Sequence, residues 1–200
     1  MTASSEPQPF PASMAWVLDN PLMRVFANRQ ARKLPIEPGM HVLDMGCGPG
    51  RLTLPVARLV GDGGEVLAVD LQSRMLAIVE RRAGRANLRN IRTLRAAAGD
   101  GAIPAGQYDV ALLVTVLGEI PGQRRDAAVA EIAAALRPDG RLLVIEGRFD
   151  PHRQSRDAVL AVARPVGLEL ERQDYGLLMS VMQFRKAASP APPELASGSR

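Results

Sequence analysis

The 200-residue chain is 46% apolar and 23% charged, which suits one soluble globular domain able to bury a core. No window approaches the roughly 18 consecutive apolar residues of a membrane span, and residues 1–13 carry Glu6 and three prolines instead of a basic segment followed by an apolar one. Its net charge of +4 comes from dispersed arginines, and an aromatic content of 4% offers no platform for stacking bases, so nucleic acid is an improbable partner.

The two ends, 1–13 and 188–200, are rich in Pro, Ser and Ala and are expected to be disordered, which leaves a helical segment at 14–35 and a folded core at 36–187. The helix predicted over Met14 to Lys33 mixes Trp16, Val17, Leu18, Leu22, Met23, Val25 and Phe26 with a basic end. A lid over an apolar substrate, a shallow peripheral contact with a membrane, and a plain packing helix all fit that pattern.

From residue 41 onward, short apolar runs alternate with segments of helical period, the pattern of parallel strands joined by crossover helices. Strands are predicted at His41 to Met45, Glu65 to Asp70, Asn90 to Arg95, Tyr108 to Val114, Arg141 to Glu146, Leu168 to Asp174 and Leu177 to Arg185. Helices are predicted at Arg51 to Val60, Ser73 to Ala86 with Ser73 as N-cap, Arg124 to Leu136 and Arg153 to Val166. "LRPDGR" (136–141) should stop its helix at Pro138 and Gly140 before the next strand. Only Tyr175 and Gly176 separate the last two strands, so these must pair antiparallel. Pro55 cannot donate an amide hydrogen, and a loose or kinked first turn is expected around it.

Chemistry concentrates in "VLDMGCGPG" (42–50), where three glycines at alternate positions follow an apolar strand. A helix entry needs one glycine; three suggest backbone lying against a ligand at the carboxyl end of the sheet. The spacing G-x-G-x-G, with Arg51 next, departs from the dinucleotide pattern, and no phosphate-binding loop of the G-x-x-x-x-G-K type occurs. Asp70, some 20 residues on, ends a strand where a carboxylate can accept from both hydroxyls of an unphosphorylated ribose. Cys47 reads as a small filler, and one cysteine with two scattered histidines, His41 and His152, makes a metal site improbable.

"VLDMGCGPGRLTLPVA" (42–57), "VLAVDLQSRML" (66–76), "AGDGAIP" (98–104), "YDVALLVTVLGEIP" (108–121) and "LRPDGRLLVIEG" (136–147) resemble, in order and spacing, the successive motifs of class I S-adenosylmethionine-dependent methyltransferases. The resemblance covers 36–187 and is strongest to the small ubiquinone/menaquinone-biosynthesis group. It implies a Rossmann-like, doubly wound α/β sheet of order 3-2-1-4-5-7-6 with strand 7 antiparallel, S-adenosylmethionine as cofactor and a cytoplasmic enzyme. Carried over by position, Asp44, Gly46, Gly48 and Gly50 would surround the methionine moiety, Asp70 would hold the ribose and Leu71 would lie against the adenine. Asp100 would accept from the adenine amine, with Gly101 and Ala102 at the ring edge.

Side chains able to reach an acceptor lie at the ends of the fourth and fifth strands: Thr115, Glu119, Glu146 and His152, of which Glu119 and His152 are the candidate bases. Arg148 and Arg153 could bind an anionic acceptor group. The absence of N/D-P-P-Y/F after the fourth strand argues against methylation of base amino groups. A small, lipophilic acceptor such as a quinone-like ring fits this reading best. An RNA or protein methyltransferase, a non-catalytic S-adenosylmethionine-binding module and an NAD-dependent oxidoreductase are its rivals. Oligomeric state is not legible.

Overall fold

A computed structural model describes residues 21–187, and the expectations for 1–20 and 188–200 lie outside that range. Helix α1 (Pro21–Ala31) leads into a repeating strand–helix run: β1 (His41–Met45), α2 (Thr53–Val60), β2 (Glu65–Asp70), α3 (Ser73–Arg85), β3 (Ile91–Arg95) and β4 (Tyr108–Val114). Then follow α4 (Gly122–Ala135), β5 (Leu136–Gly147), α5 (Arg156–Ala163), β6 (Leu168–Tyr175) and β7 (Met179–Lys186). Seven strands form one sheet in the order β3-β2-β1-β4-β5-β7-β6. Strands β1 to β5 run parallel, and β7 enters antiparallel between β5 and β6, as the short gap required, although the connection is the three residues 176–178 because Tyr175 still belongs to β6.

The central strands are continuous apolar runs because helices cover both faces of the sheet. Successive residues therefore alternate between two cores. Leu43, Ala111, Leu113, Leu142 and Val144 pack with α4 and α5, while Val42, Val110, Leu112, Leu143 and Ile145 pack with α1 and α2. Truncating a fully buried member such as Leu112 to Ala is worth about 2–5 kcal/mol of stability. Ala27 and Ala31 seat α1 in the second core, and no residue of α1 lines the main cleft. Among the described residues no helix is long and apolar enough to cross a membrane.

Several boundaries depart from expectation, each for a local reason. Helix α2 starts at Thr53, two residues late, so Pro55 falls in the first turn, where a missing N–H leaves no intrahelical bond broken. Ser73 does not cap α3; the cap position is Gln72, whose N–H donates to Asp70 Oδ1 at 2.8 Å. "LRPDGR" is no helix-ending turn before a later strand. Leu136 is fully buried and already extended, pairs with Tyr108 and begins β5, and the surplus residues bulge out where Asp139 takes φ 63°. Helix α5 begins after the N-cap Ser155, whose Oγ accepts from the Ala158 N–H at 3.2 Å; residues before it turn around Asp150 instead.

Candidate functional site

The carboxyl ends of β1, β2 and β4 open into a cleft of about 710 Å³, within the range of small-molecule sites. Its floor is the glycine loop. Gly46 N–H donates to Val69 O at 2.8 Å with φ 74°, and a Cβ there would stand 2.4 Å from Val116 Cγ2, so the residue must be glycine to let the β4 turn close over it. Gly48, at φ 52°, lines the cleft, and a Cβ there would meet nothing within 4 Å. Gly50 does not line the cleft. Its Cβ would meet Leu54 Cδ1 at 2.8 Å and Val79 Cγ2 at 3.1 Å, so its role is to let α2 and α3 approach the loop, which corrects the expectation that it touches ligand.

Asp70 stands at the end of β2 with both oxygens oriented by backbone: Oδ2 accepts from Gly48 N–H at 2.9 Å and Oδ1 from Gln72 N–H at 2.8 Å. One lone pair on each oxygen remains for a ligand. Burial raises its pKa, and the two amide bonds pull it back. Asp44 lies deeper, 2% exposed, with Thr53 Oγ1 donating to its Oδ2 at 2.6 Å. Its pKa is pushed up to about 6, chiefly by burial, with the Thr53 bond opposing and the Asp70 charge adding. Cys47 is buried beside Ala68, Leu76 and Val79, and burial pushes its thiol far up, so it is a packing residue and no nucleophile.

Beside Asp70, whose carbonyl accepts from Ala96 N–H at 3.3 Å, Leu71, Met75 and the stretch Ala96 to Ala98 add apolar lining to the cleft. Asp100, Gly101 and Ala102 do not reach it, a second correction. Asp100 is exposed and turned to the rim, where it pairs with Arg124 and accepts from Ala97 N–H at 3.1 Å. The Arg124 hydrogen bond is the main reason its carboxyl sits below the usual range.

The remaining wall comes from the turn after β4 and the loop after β5. Thr115 has φ 56°, an unfavourable conformation for a β-branched residue that costs on the order of 1–3 kcal/mol. It is held there by its N–H donating to Ile145 O at 2.8 Å and its Oγ1 donating to Val114 O at 2.7 Å. Glu119 lines the same wall, and Asp150, Pro151 and His152 face it from the β5 loop. The two segments are in direct contact, since a Cβ on Gly118 would lie 1.8 Å from the His152 carbonyl oxygen. Glu146 is not part of the lining. It is 1% exposed beneath the β5 loop, with Oε1 unpartnered, and its pKa is pushed up to about 7 by burial first and the Asp150 charge second.

Residues 42–140, about half of the chain, match the family described as a methyltransferase domain. The chain is 35% identical over 125 residues to the nocamycin O-methyltransferase of Saccharothrix syringae, covering 60% of this chain and 42% of that protein. It is 32% identical over 138 residues to the ubiquinone/menaquinone biosynthesis C-methyltransferase UbiE of Shewanella halifaxensis, covering 64% and 52% respectively. Among solved structures, a SAM-dependent methyltransferase from Aquifex aeolicus superposes with a TM-score of 0.78 at 20% identity, over 89% of this chain and all of that one, and so shares the fold. The chain belongs to the class I S-adenosylmethionine-dependent methyltransferases. It spans about half the length of the curated relatives it matches.

The residues present fit the cofactor of a class I methyltransferase. An acceptor-only carboxylate at Asp70 suits a ribose diol, the absence of any atom within 4 Å of a Cβ on Gly48 leaves bare backbone open to a ligand, and Leu71, Met75 and Ala96 to Ala98 supply apolar lining that suits a purine. Sequence reasoning missed Ala96 to Ala98, Met75, Arg51 and the Asp150 and Pro151 turn. Three consecutive alanines straight after a strand were the available signal: small side chains leave room for a ring against the backbone.

Proposed function

We propose that this methyltransferase modifies a small, lipophilic acceptor bound at the open end of the cleft, between the β4 turn and the β5 loop. When bound, S-adenosylmethionine would supply a sulfonium methyl group, the new bond from acceptor to methyl carbon forming in line as the carbon–sulfur bond breaks and S-adenosylhomocysteine leaves as a neutral thioether. The chain's part is to position and to keep water out, and orientation can provide much of the barrier reduction. Asp70 and the loop Gly46 to Gly48 would fix the nucleoside and methionine ends, and Asp44 would hold its place behind them through Thr53.

On the acceptor side, Val114, Val116, Ile120 and Pro121 present an apolar surface, and Glu119 and His152 are the groups able to take a proton from a phenol or an acidic carbon. Gly101, Ala102 and Asp100 have no part in this reading. The observation that carries it is the Asp70 carboxylate, oriented by Gly48 and Gln72 and set beside the apolar lining of Leu71, Met75 and Ala96 to Ala98 in a cleft of suitable size. Relatives whose names specify O- and C-methylation of small molecules support the acceptor class.

The test incubates the protein with methyl-labelled S-adenosylmethionine and a panel of quinols, phenols and catechols, with total RNA and a protein extract in parallel. Label transfer to a member of the small-molecule panel is the expected result. Transfer only to RNA or protein would replace the acceptor class, and binding of S-adenosylhomocysteine with no transfer to any of them would leave a non-catalytic binding module.

A further inference from the structure

The tip of the β6–β7 hairpin and the loop after β5 lie side by side, joined by a bond from Arg148 N–H to Leu178 O at 2.8 Å. Both present large apolar side chains to solvent: Phe149 and Leu177 are 81% exposed, Tyr175 72% and Leu178 47%. Together these are four of the six large apolar side chains that stand exposed among the described residues. A hollow of about 250 Å³ between the two loops is lined by Arg148, Arg153, Tyr175 and Ser180. Neither arginine has an ion-pair partner within 4 Å among the described residues. The acidic side chains of the two loops are engaged elsewhere, Asp150 with the His152 N–H and Asp174 with Arg172.

Exposed aromatic and leucine side chains clustered on two adjacent tips are not explained by packing within the fold. We infer that this double tip, Phe149 with Tyr175, Leu177 and Leu178, seats the protein on an anionic lipid surface, with Arg148 and Arg153 at headgroup level. The four side chains sit at two adjacent turns, and exposed aromatic and leucine side chains beside cationic ones suit the boundary between lipid headgroups and acyl chains. A second copy docked on the same patch by a two-fold axis would set like charge against like charge, whereas anionic headgroups neutralise Arg148 and Arg153. The patch is also continuous with the cleft: Asp150, Pro151 and His152 of the same loop line it, and Met179 at the hairpin base touches Arg51 of its floor. The inference stands whether or not the acceptor proposed above is the right one.

Sedimentation of the full chain with vesicles tests it, using equal parts phosphatidylglycerol and phosphatidylcholine against phosphatidylcholine alone. Binding to the anionic vesicles, weakened by salt, is expected. The pair Phe149→Ser and Leu177→Ser should lower partitioning at least about ten-fold. The pair Arg148→Gln and Arg153→Gln should lower it by about five-fold per arginine. Uptake of S-adenosylhomocysteine and the far-UV spectrum serve as controls for folding. No binding, equal binding to both vesicle types, or binding that survives the Phe149 and Leu177 changes would overturn the inference. A dimer in sedimentation equilibrium that Leu177→Ser converts to monomer would also overturn it, in favour of a second copy.

Discussion

Gly48 N–H donates to Asp70 Oδ2 at 2.9 Å across 22 residues of chain, tying the middle of the glycine loop to the end of the neighbouring strand. One carboxylate thereby shapes the loop and lines the cleft at once. Asp70→Ala is expected to weaken S-adenosylhomocysteine uptake by about 3 kcal/mol, roughly a hundred-fold, since hydrogen bonds to a charged group are the stronger kind. Asp70→Asn should lose at least about ten-fold, because its amide must turn an N–H toward either Gly48 or Gln72, both donors. Calorimetry measures both, and unchanged uptake in Asp70→Ala would remove the basis of the proposed function.

The glycines make separable predictions. Gly48→Ala meets nothing within 4 Å, so its cost to stability is that of φ 52°, on the order of 1–2 kcal/mol, while its methyl group occupies ligand space. Gly50→Ala carries φ 80° and a close contact with Leu54 and Val79, so it should destabilise the fold more. Thermal unfolding with and without S-adenosylhomocysteine distinguishes them. Gly48→Ala should unfold near the wild-type temperature and lose the ligand-induced rise; Gly50→Ala should unfold well below it.

Those two positions also show where sequence reasoning stops. Strand positions were legible because buried parallel strands are continuous apolar runs, and the closing hairpin because too few residues separate its strands for a crossover; the strand order came only with the resemblance to class I methyltransferases. Asp70 was legible because its distance from the loop is set by one strand–helix–strand unit. The role of Gly50 was not, since φ near 80° is required equally for touching a ligand and for admitting Leu54. Asp100 misled for a related reason: the register of a turn decides whether a side chain enters the cleft or meets Arg124, and a one-turn shift leaves the pattern of apolar residues unchanged. The bulge at 137–140 was hidden because Pro138 and Gly140 signal a break without saying that Leu136, upstream of it, pairs with Tyr108.

Glu146 gives a pH dependence of defined sign. Its folded pKa is about 7 against the usual 4.5, raised by burial and Asp150 and lowered by the Gln154 N–H, Arg153 and Arg125. The folded protein therefore holds this proton where the unfolded chain has lost it, so its contribution is fully present below about pH 4.5 and is lost as pH rises through 7. Glu146→Gln keeps an acceptor for Gln154 and has no charge to bury. It should flatten the fall in stability between about pH 5 and about pH 8, and exceed wild type at the upper end by on the order of 1–3 kcal/mol. Asp44, shifted up to about 6, leaves a residual slope of the same sign at lower pH. A Glu146→Gln protein with the wild-type slope in denaturant titrations would contradict the assignment.

Gly118 tests whether the β5 loop places a catalytic group. Its φ lies outside the left-handed region, so Gly118→Ala meets no such backbone strain, yet the new Cβ would lie 1.8 Å from the His152 carbonyl oxygen and must displace the loop. Backbone on both sides leaves no flexible side chain to yield. On the proposed reading S-adenosylhomocysteine would be held at the Asp70 end of the cleft, so its affinity should stay within about two-fold, while kcat falls at least ten-fold as His152 moves off the acceptor. His152→Ala should lower kcat by about a hundred-fold with the same unchanged affinity, because it removes the proton acceptor and leaves the loop in place. If Gly118→Ala slows turnover and His152→Ala does not, the loop acts by shape alone, and Glu119 on the facing turn is left as the group that takes the proton.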